Sequence, residues 1–584
     1  MKIPTTVSAV AVALATATMP ASVAAQMNAS DPLDGWEVES GSHLEVDAGN
    51  FMLPASLAFV PEPGPNPDDP LYFVAELRGT IKVVTRDRSV HVFATEVTNF
   101  RPQVEFPSGS DAEAGLAGIC LAPEEGYVFV TFGHRHNGVL RNRISRYTSV
   151  PGTFGLEAGE RVDLPLLDEY EGGISHQIGS CTVDNGMLHV GVGDGWQPYR
   201  AGDVSQPNGK LLRMDLDGNA VPDNPFFAER ARGVSGRVLA LGLRNPFGVA
   251  LADDRVFVAD NGTRVDRFLA IEPGHDYLWR GSDNAIALGA EFVFSPGVGP
   301  AQLAYAPPDH QELPERLRET FFLAASANRG SLRPGILALR WTTGSEELSE
   351  LPRWYVRSAH SNQQIVAAVA VGPDGVYFAP LLPLSEDGSP VIRVVPDAME
   401  GDNHGLVVSS PRSLMVESGC AGCHVLDGDY GFGSNVGPPL NAMDGSLQSR
   451  LHEYLHSEGY VQSLQDLDVS DSLHRHWAYA RREVLEATGD ERVRLWIKYR
   501  ILEPRFDRAL SAMPNLGIPE PDAEYIASYL STVREVPWYV RIASYVLPAN
   551  GVGRKRMVAL MALAAVAGSV ATAGAGAFWL RHRK

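Results

Sequence analysis

The sequence predicts a multidomain protein: a six-bladed all-β propeller, then a small all-α domain, then a single C-terminal transmembrane helix. Three observations lead there. A strand-turn-strand phrase recurs about six times between Leu53 and Pro396. A Cys-x-x-Cys-His motif follows at Cys420, Cys423 and His424 among segments of helical patterning. An uncharged run from Met557 to Leu580 is long enough at helical rise to cross a hydrocarbon core of roughly 30 Å.

The start, "MKIPTTVSAVAVALATATMPASVAAQ", has a short basic tip, an apolar run too short to span a bilayer, and small residues Val23 and Ala25 placed for cleavage. Residues 1–25 are therefore expected to be a secretory signal peptide. The propeller is expected over 45–397, a polar glycine-bearing linker over 398–410, the helical domain over 411–535 and the anchor over 557–580. Export of the N-terminus leaves Arg581 to Lys584 in the cytoplasm and the rest on the periplasmic face of a bacterial inner membrane. A sorting tail cut off after export is the alternative for the last segment.

The repeats read "LAFVPEPGPNPDDPLYFVAELRGTIKVV", "LAGICLAPEEGYVFVTFGHRHNGVLRNRISRYT", "IGSCTVDNGMLHVGVGDGWQP" with "GKLLRMDLDG", "GVALADDRVFVADNGTRVDRFLAIEPG", "LRETFFLAASANRGSLRPGILALRW" and "VAAVAVGPDGVYFAPLLPLSEDGSPVIRVV". Each alternates apolar and polar residues around tight-turn residues, which suits a four-stranded blade. The formal charge of −21 is spread along the chain without a basic stripe, which excludes nucleic acid and anionic membrane surfaces as partners. Four cysteines are too few for a disulfide framework. Cys120 and Cys181 hold comparable places in inner strands of neighbouring blades, either joined in an oxidising compartment or as two small buried apolar residues.

Propellers carry function on loops over the central channel, so polar residues at blade entrances are the candidates. His176 in "GGISHQIGSC" precedes an inner strand and suits a general base. Arg244 and Asn245 in "LGLRNPFGVA" suit a ligand bearing carboxylate or carbonyl groups. Asp260, Asp266 and carbonyls around Gly262 could gather oxygen ligands for calcium.

The phrases "HQIGS", "DNGMLHVGVGD", "GKLLRMDLDG" followed by "NPF", "GLRNPFG" and "SANRGSLRPGILALR" resemble the glucose/sorbosone dehydrogenase family, quinoproteins that bind pyrroloquinoline quinone in a six-bladed propeller. The resemblance runs from about Leu53 to Pro396. It implies His176 as catalytic base and Arg244 with Asn245 as contacts of quinone and substrate. It also places Glu113 where the family often has glutamine, and Arg329 in a loop of basic cofactor contacts. The chain departs from the family's His-Asn-Gly-Gly, reading "HQIG", and from its Asp-Glu pair in the calcium loop, reading Asp266-Arg267. Arginine there opposes the calcium that Gly262 and Asp266 would otherwise hold.

In "CAGCH" the two thiols are spaced to reach one macrocycle edge while the next imidazole meets the iron, the attachment signature of a c-type haem. Zinc would need further close-spaced ligands, and a redox dithiol a βαβ context. Met513 in "ALSAMPNLGIPEP" is the expected second axial ligand, with Met443, His452, His456, His474 and His476 as competitors. "GPPLNAMDG", "RLWIKYRILEP" and "EYIASYL" resemble class I cytochrome c across about Ser413 to Val533. Together these imply a membrane-anchored quinohaemoprotein that oxidises a sugar or alcohol and feeds a periplasmic or membrane electron acceptor. Two rivals are a cofactor-free propeller that docks an electron-carrying cytochrome, and a propeller hydrolase with a channel metal.

Overall fold

The computed structural model describes residues 31–397 and 411–532, less 103–113, 174, 228–232, 264, 284–288, 295–296, 327–332, 345–347, 360–363 and 385–386 in the strand-rich part. In the helical part it leaves out 412–413, 416–417, 421–422, 425, 427–436, 441–445, 466, 468–471, 509–510, 512 and 514. The expected signal peptide, linker and anchor, with Glu113, Arg329 and Met443, lie outside the described residues. Among the described residues no helix is long and apolar enough to cross a membrane.

Six antiparallel sheets form the blades of a β-propeller. Their inner strands are Pro54–Phe59, Leu116–Ala122, Ile178–Asp184, Pro246–Ala252, Pro300–Ala306 and Val366–Gly372, and each packs on the inner strands of the two neighbouring blades, so the ring is closed. Two-residue turns fix several hairpins. Asn185-Gly186 and Asn137-Gly138 have positive φ at both residues, which the right-handed twist of paired strands favours and asparagine and glycine tolerate. Strands sandwiched between blades lose the alternation of a half-exposed sheet: Pro70–Glu76 and Thr320–Ala325 are buried at every residue.

The repeats account for the blades incompletely. The inner strand of blade five, Pro300–Ala306, lies ahead of its repeat phrase, and the last repeat supplies three strands only. Its fourth strand is Ser42–Phe51 from the N-terminal side, paired with Ser389–Pro396, while Trp36–Val38 extends blade five beside Arg353–Ser358. The ring is thus zipped shut by a strand distant in sequence. Cys120 and Cys181, open at the sequence level, are joined as a disulfide between the inner strands of blades two and three.

Downstream lie helices Ser446–Leu455, Glu458–Gln465, Ser472–His476, Ala478–Glu486, Gly489–Leu502 and Glu520–Ser531. Val493, Ile497 and Ile501 make a stripe at helical spacing that faces Ala523, Ile526 and Leu530 of the last helix. This part does not hang on a tether beside the propeller. Leu414, Met415, Leu447 and Ile497 belong to one continuous apolar core with Phe257, Phe292, Phe321 and Trp341 of blades four and five.

Candidate active site and cofactor cavity

The first site is at the entrance of blade three. Ile178 pairs with Val192 across the first hairpin, so the residues just outside that pair, His176 and Asp194, face each other at the channel end of the sheet. His176 Nδ1 lies 2.7 Å from Asp194 Oδ1, and the backbone N–H groups of Gly193 and Gly195 donate to the carbonyls of Gln177 and His176. The carboxylate therefore holds the proton on Nδ1 and turns Nε2 outward as an acceptor. Trp279 Nε1–H donates to the other Asp194 oxygen at 2.8 Å, and Trp196 Nε1–H donates to His176 Nε2 at 3.0 Å.

Blade four completes the mouth. Asp194 N–H donates to the Arg244 carbonyl at 2.7 Å, which brings the Arg244-Asn245 pair beside the His176-Asp194 pair. Arg244 lies over the Trp279 ring at 5.5 Å and donates from Nη1 to the Asn261 carbonyl at 3.0 Å. Gly193 is required by this closeness, since a Cβ there would stand 2.3 Å from the His176 carbonyl and 2.8 Å from Asn245 Oδ1. Asn245 Oδ1 and Gln177 Oε1 are buried without a hydrogen-bond partner among the described residues. Unmade buried hydrogen bonds are costly, so polar atoms orphaned at a channel mouth fit a polar ligand such as the quinone.

Calcium does not fit its expected loop. Asp266 spends one carboxylate oxygen on the Gly262 N–H and the other on the Gly299 N–H, both at 2.8 Å. Arg267 is wholly buried and bonds internally, to Asp260 and to the carbonyls of Tyr277 and Gly242. Asp260 in turn accepts the backbone N–H groups of Arg244 and Asn245. The expected metal ligands are clamps of the backbone, and the cation among them is a guanidinium. Among the described residues no cluster of three or more metal-ligating side chains occurs.

The second site is a cavity of about 360 Å³ in the helical part, lined by Cys420, Cys423, His424 and Met513 and otherwise chiefly apolar. His424 Nδ1 lies 2.6 Å from the Pro438 carbonyl, which fixes the proton there and frees Nε2 to ligate. A Cβ on Gly437 would strike the same ring at 2.4 Å. Burial pushes the His424 basicity down and the Cys420 and Cys423 thiols up, to about 12 and about 11. Two cysteines followed by a histidine, with Met513 across a chiefly apolar cavity, fit a haem joined by thioethers. His452, His456, His474 and His476 do not line the cavity; the first two stack on one another.

Blade four joins the two sites. Val293 lines the cavity, and Gly419, at φ 78°, brings the motif so close that a Cβ would lie 2.1 Å from the Val293 carbonyl. Val293 pairs with Arg267, Arg267 with Asp260, and Asp260 with Pro246, next to Asn245. One cross-strand row thus runs from cavity wall to channel mouth. At about 4.8 Å per strand it spans roughly 14 Å.

Sequence reasoning missed Asp194, Trp196, Trp279 and Val293. Asp194 was not legible, because counting outward from the Asn185-Gly186 turn sets Gly195 opposite His176, and only the register shift between Cys181 and Ile178 brings Asp194 there. Val293 was not legible either, because nothing local announces the docking of a distant helix pair.

Residues 52–291, which run from blade one through the third strand of blade four, match the family described as Glucose / Sorbosone dehydrogenase. The aldose sugar dehydrogenase YliI of Escherichia coli K12 is 29% identical over 109 residues, 18% of this chain and 29% of that protein's length. Among solved structures, the PQQ-bound aldose sugar dehydrogenase of Streptomyces coelicolor is 21% identical with a TM-score of 0.46, covering 61% of this chain and 100% of its own. The apo-form soluble aldose sugar dehydrogenase of Escherichia coli is 17% identical with a TM-score of 0.46, covering 61% and 99%.

Proposed function

We propose that the protein is a quinohaemoprotein that oxidises a sugar or alcohol at the propeller mouth and passes the electrons to a c-type haem in its helical part. The family match over residues 52–291 supports the oxidation. One observation carries the coupled reading: the mouth and the cavity share blade four, through the row Pro246, Asp260, Arg267 and Val293.

When bound, the quinone would supply a two-electron acceptor and the haem a one-electron carrier. The chain's own residues do the rest. Asp194 orients His176, whose Nε2 takes the proton of the substrate hydroxyl. Arg244 and Asn245 would hold the quinone, Arg244 through the guanidinium nitrogens left over from the Asn261 carbonyl and Asn245 through its amide. Cys420 and Cys423 would bind the haem covalently, and His424 and Met513 would hold its iron. Export, anchoring by 557–580 and delivery to a periplasmic or membrane acceptor complete the reading.

Stopped-flow mixing of quinone-loaded protein with a panel of aldoses and alcohols tests it. Haem reduction is expected in the wild type and is expected to slow by about 10²- to 10⁴-fold in His176→Ala, the usual worth of a positioned base. Equal rates would remove His176 from the mechanism. No reduction by any substrate, with bound quinone confirmed, would overturn the dehydrogenase reading.

A further inference from the structure

Trp196 is placed where burial does not explain it. It is 59% exposed, among the largest exposed apolar side chains, and its backbone is left-handed at φ 61°, a conformation that bulky residues rarely adopt. Two hydrogen bonds hold it. Its backbone N–H donates to Asp194 Oδ1 at 2.9 Å, and its indole N–H donates to His176 Nε2 at 3.0 Å, with the rings 5.7 Å apart. Nε2 is the one ring nitrogen not committed to Asp194, and therefore the atom that must accept the substrate proton. The indole N–H occupies that lone pair directly.

We infer that Trp196 is a substrate-displaced cap on the base, and that it selects cyclic sugars over small open-chain alcohols. The proposal rests on the dehydrogenase reading above. For proton transfer the indole N–H···Nε2 bond must break and a substrate O–H must take its place; the O–H bond then breaks as the new N–H bond forms on His176. A mostly exposed indole moves at little packing cost, because few contacts must be broken. Once moved, it remains next to the base and offers a large amphipathic face. A pyranose has a matching C–H face, which ethanol or a similar alcohol lacks.

The test needs no turnover. Full-length protein without added quinone is treated with diethylpyrocarbonate, and carbethoxylation of His176 is followed by peptide mass spectrometry. Trp196→Phe keeps a ring and removes the N–H, so His176 is expected to react several-fold faster than in the wild type. His189, 5% exposed in the same blade, serves as the control for an intact fold. Equal rates at His176, with His189 unchanged, would overturn the cap. The selectivity is read in quinone-loaded protein: Trp196→Leu is expected to raise KM for an aldopyranose about tenfold while leaving or lowering KM for ethanol. An unchanged ratio of the two would overturn the stacking role. Absence of any oxidation would count against the dehydrogenase reading alone, since the modification rates decide the cap independently.

Discussion

His189 shows how a single buried side chain sets a pH response. It lies 5% exposed on Met187–Val192, and burial first, then the nearby Arg213, push it down to about 4. His134, also 4% exposed, is pushed to about 4 by burial and by Arg143. The unfolded chain takes up these protons near the ordinary 6.5, the folded chain only near 4. Between those pH values the unfolded state binds more protons, so stability falls as pH drops; above that window the two histidines contribute no slope. Each is worth about 3 kcal/mol by pH 4. Urea midpoints measured from pH 7.5 to 4.5 should fall in the wild type, and His189→Leu should make that fall shallower. An unaltered slope in the variant would exclude His189 as a source. Arg267 makes a complementary point. As a sequence it reads as a spoiled metal ligand; in the fold it is a buried cation paired with Asp260 and satisfied by two carbonyls, the condition under which a buried charge is tolerated.

At the level of elements, the parts of the fold legible in the sequence were those with local causes. The hairpin turns Asn137-Gly138 and Asn185-Gly186, the blade phrases and the Cys420, Cys423, His424 motif all announce themselves within a few residues. Pairings between distant segments did not: the closing strand Ser42–Phe51, the inner strand Pro300–Ala306 outside its phrase, and the partners Asp194 and Trp196 of His176 depend on register and long-range contact. The docking of the motif on Phe292–Phe294 belongs to this second class, and Gly419 makes it testable. Its φ of 78° suits glycine, and a methyl there would meet the Val293 carbonyl at 2.1 Å. Gly419→Ala should therefore push the helical part off blade four while leaving each part folded. Calorimetry should show one unfolding transition splitting into two, and limited proteolysis should release the propeller. A single unshifted transition would mean that the contact at Val293 yields easily and does not couple the parts.

Across the whole molecule, three long-range fastenings oppose the opening of a ring whose blades otherwise touch only their neighbours. Blade six is zipped by Ser42–Phe51, blades four and five share their core with the helices, and blades two and three are bolted by Cys120–Cys181. The disulfide is the one that can be removed without disturbing a strand. It closes a loop with a sequence separation of 61, which by chain entropy contributes about 4 kcal/mol. Both sulfurs are in buried inner strands, so the paired change Cys120→Ser with Cys181→Ser would add the cost of burying hydroxyls, whereas Ala at both positions removes the bond with less disturbance. The Cys120→Ala, Cys181→Ala protein should unfold at lower urea than the wild type, and dithiothreitol should lower the wild type toward it while leaving the variant unmoved. His176 lies just ahead of Cys181 at the start of the same hairpin, so loosening this seam should also disturb the His176-Asp194 pair before the blade four row. On the proposed function, sugar oxidation would then decline at urea concentrations where the spectrum of the proposed haem is still native. Loss of both at the same urea concentration would show instead that the ring opens as one cooperative unit.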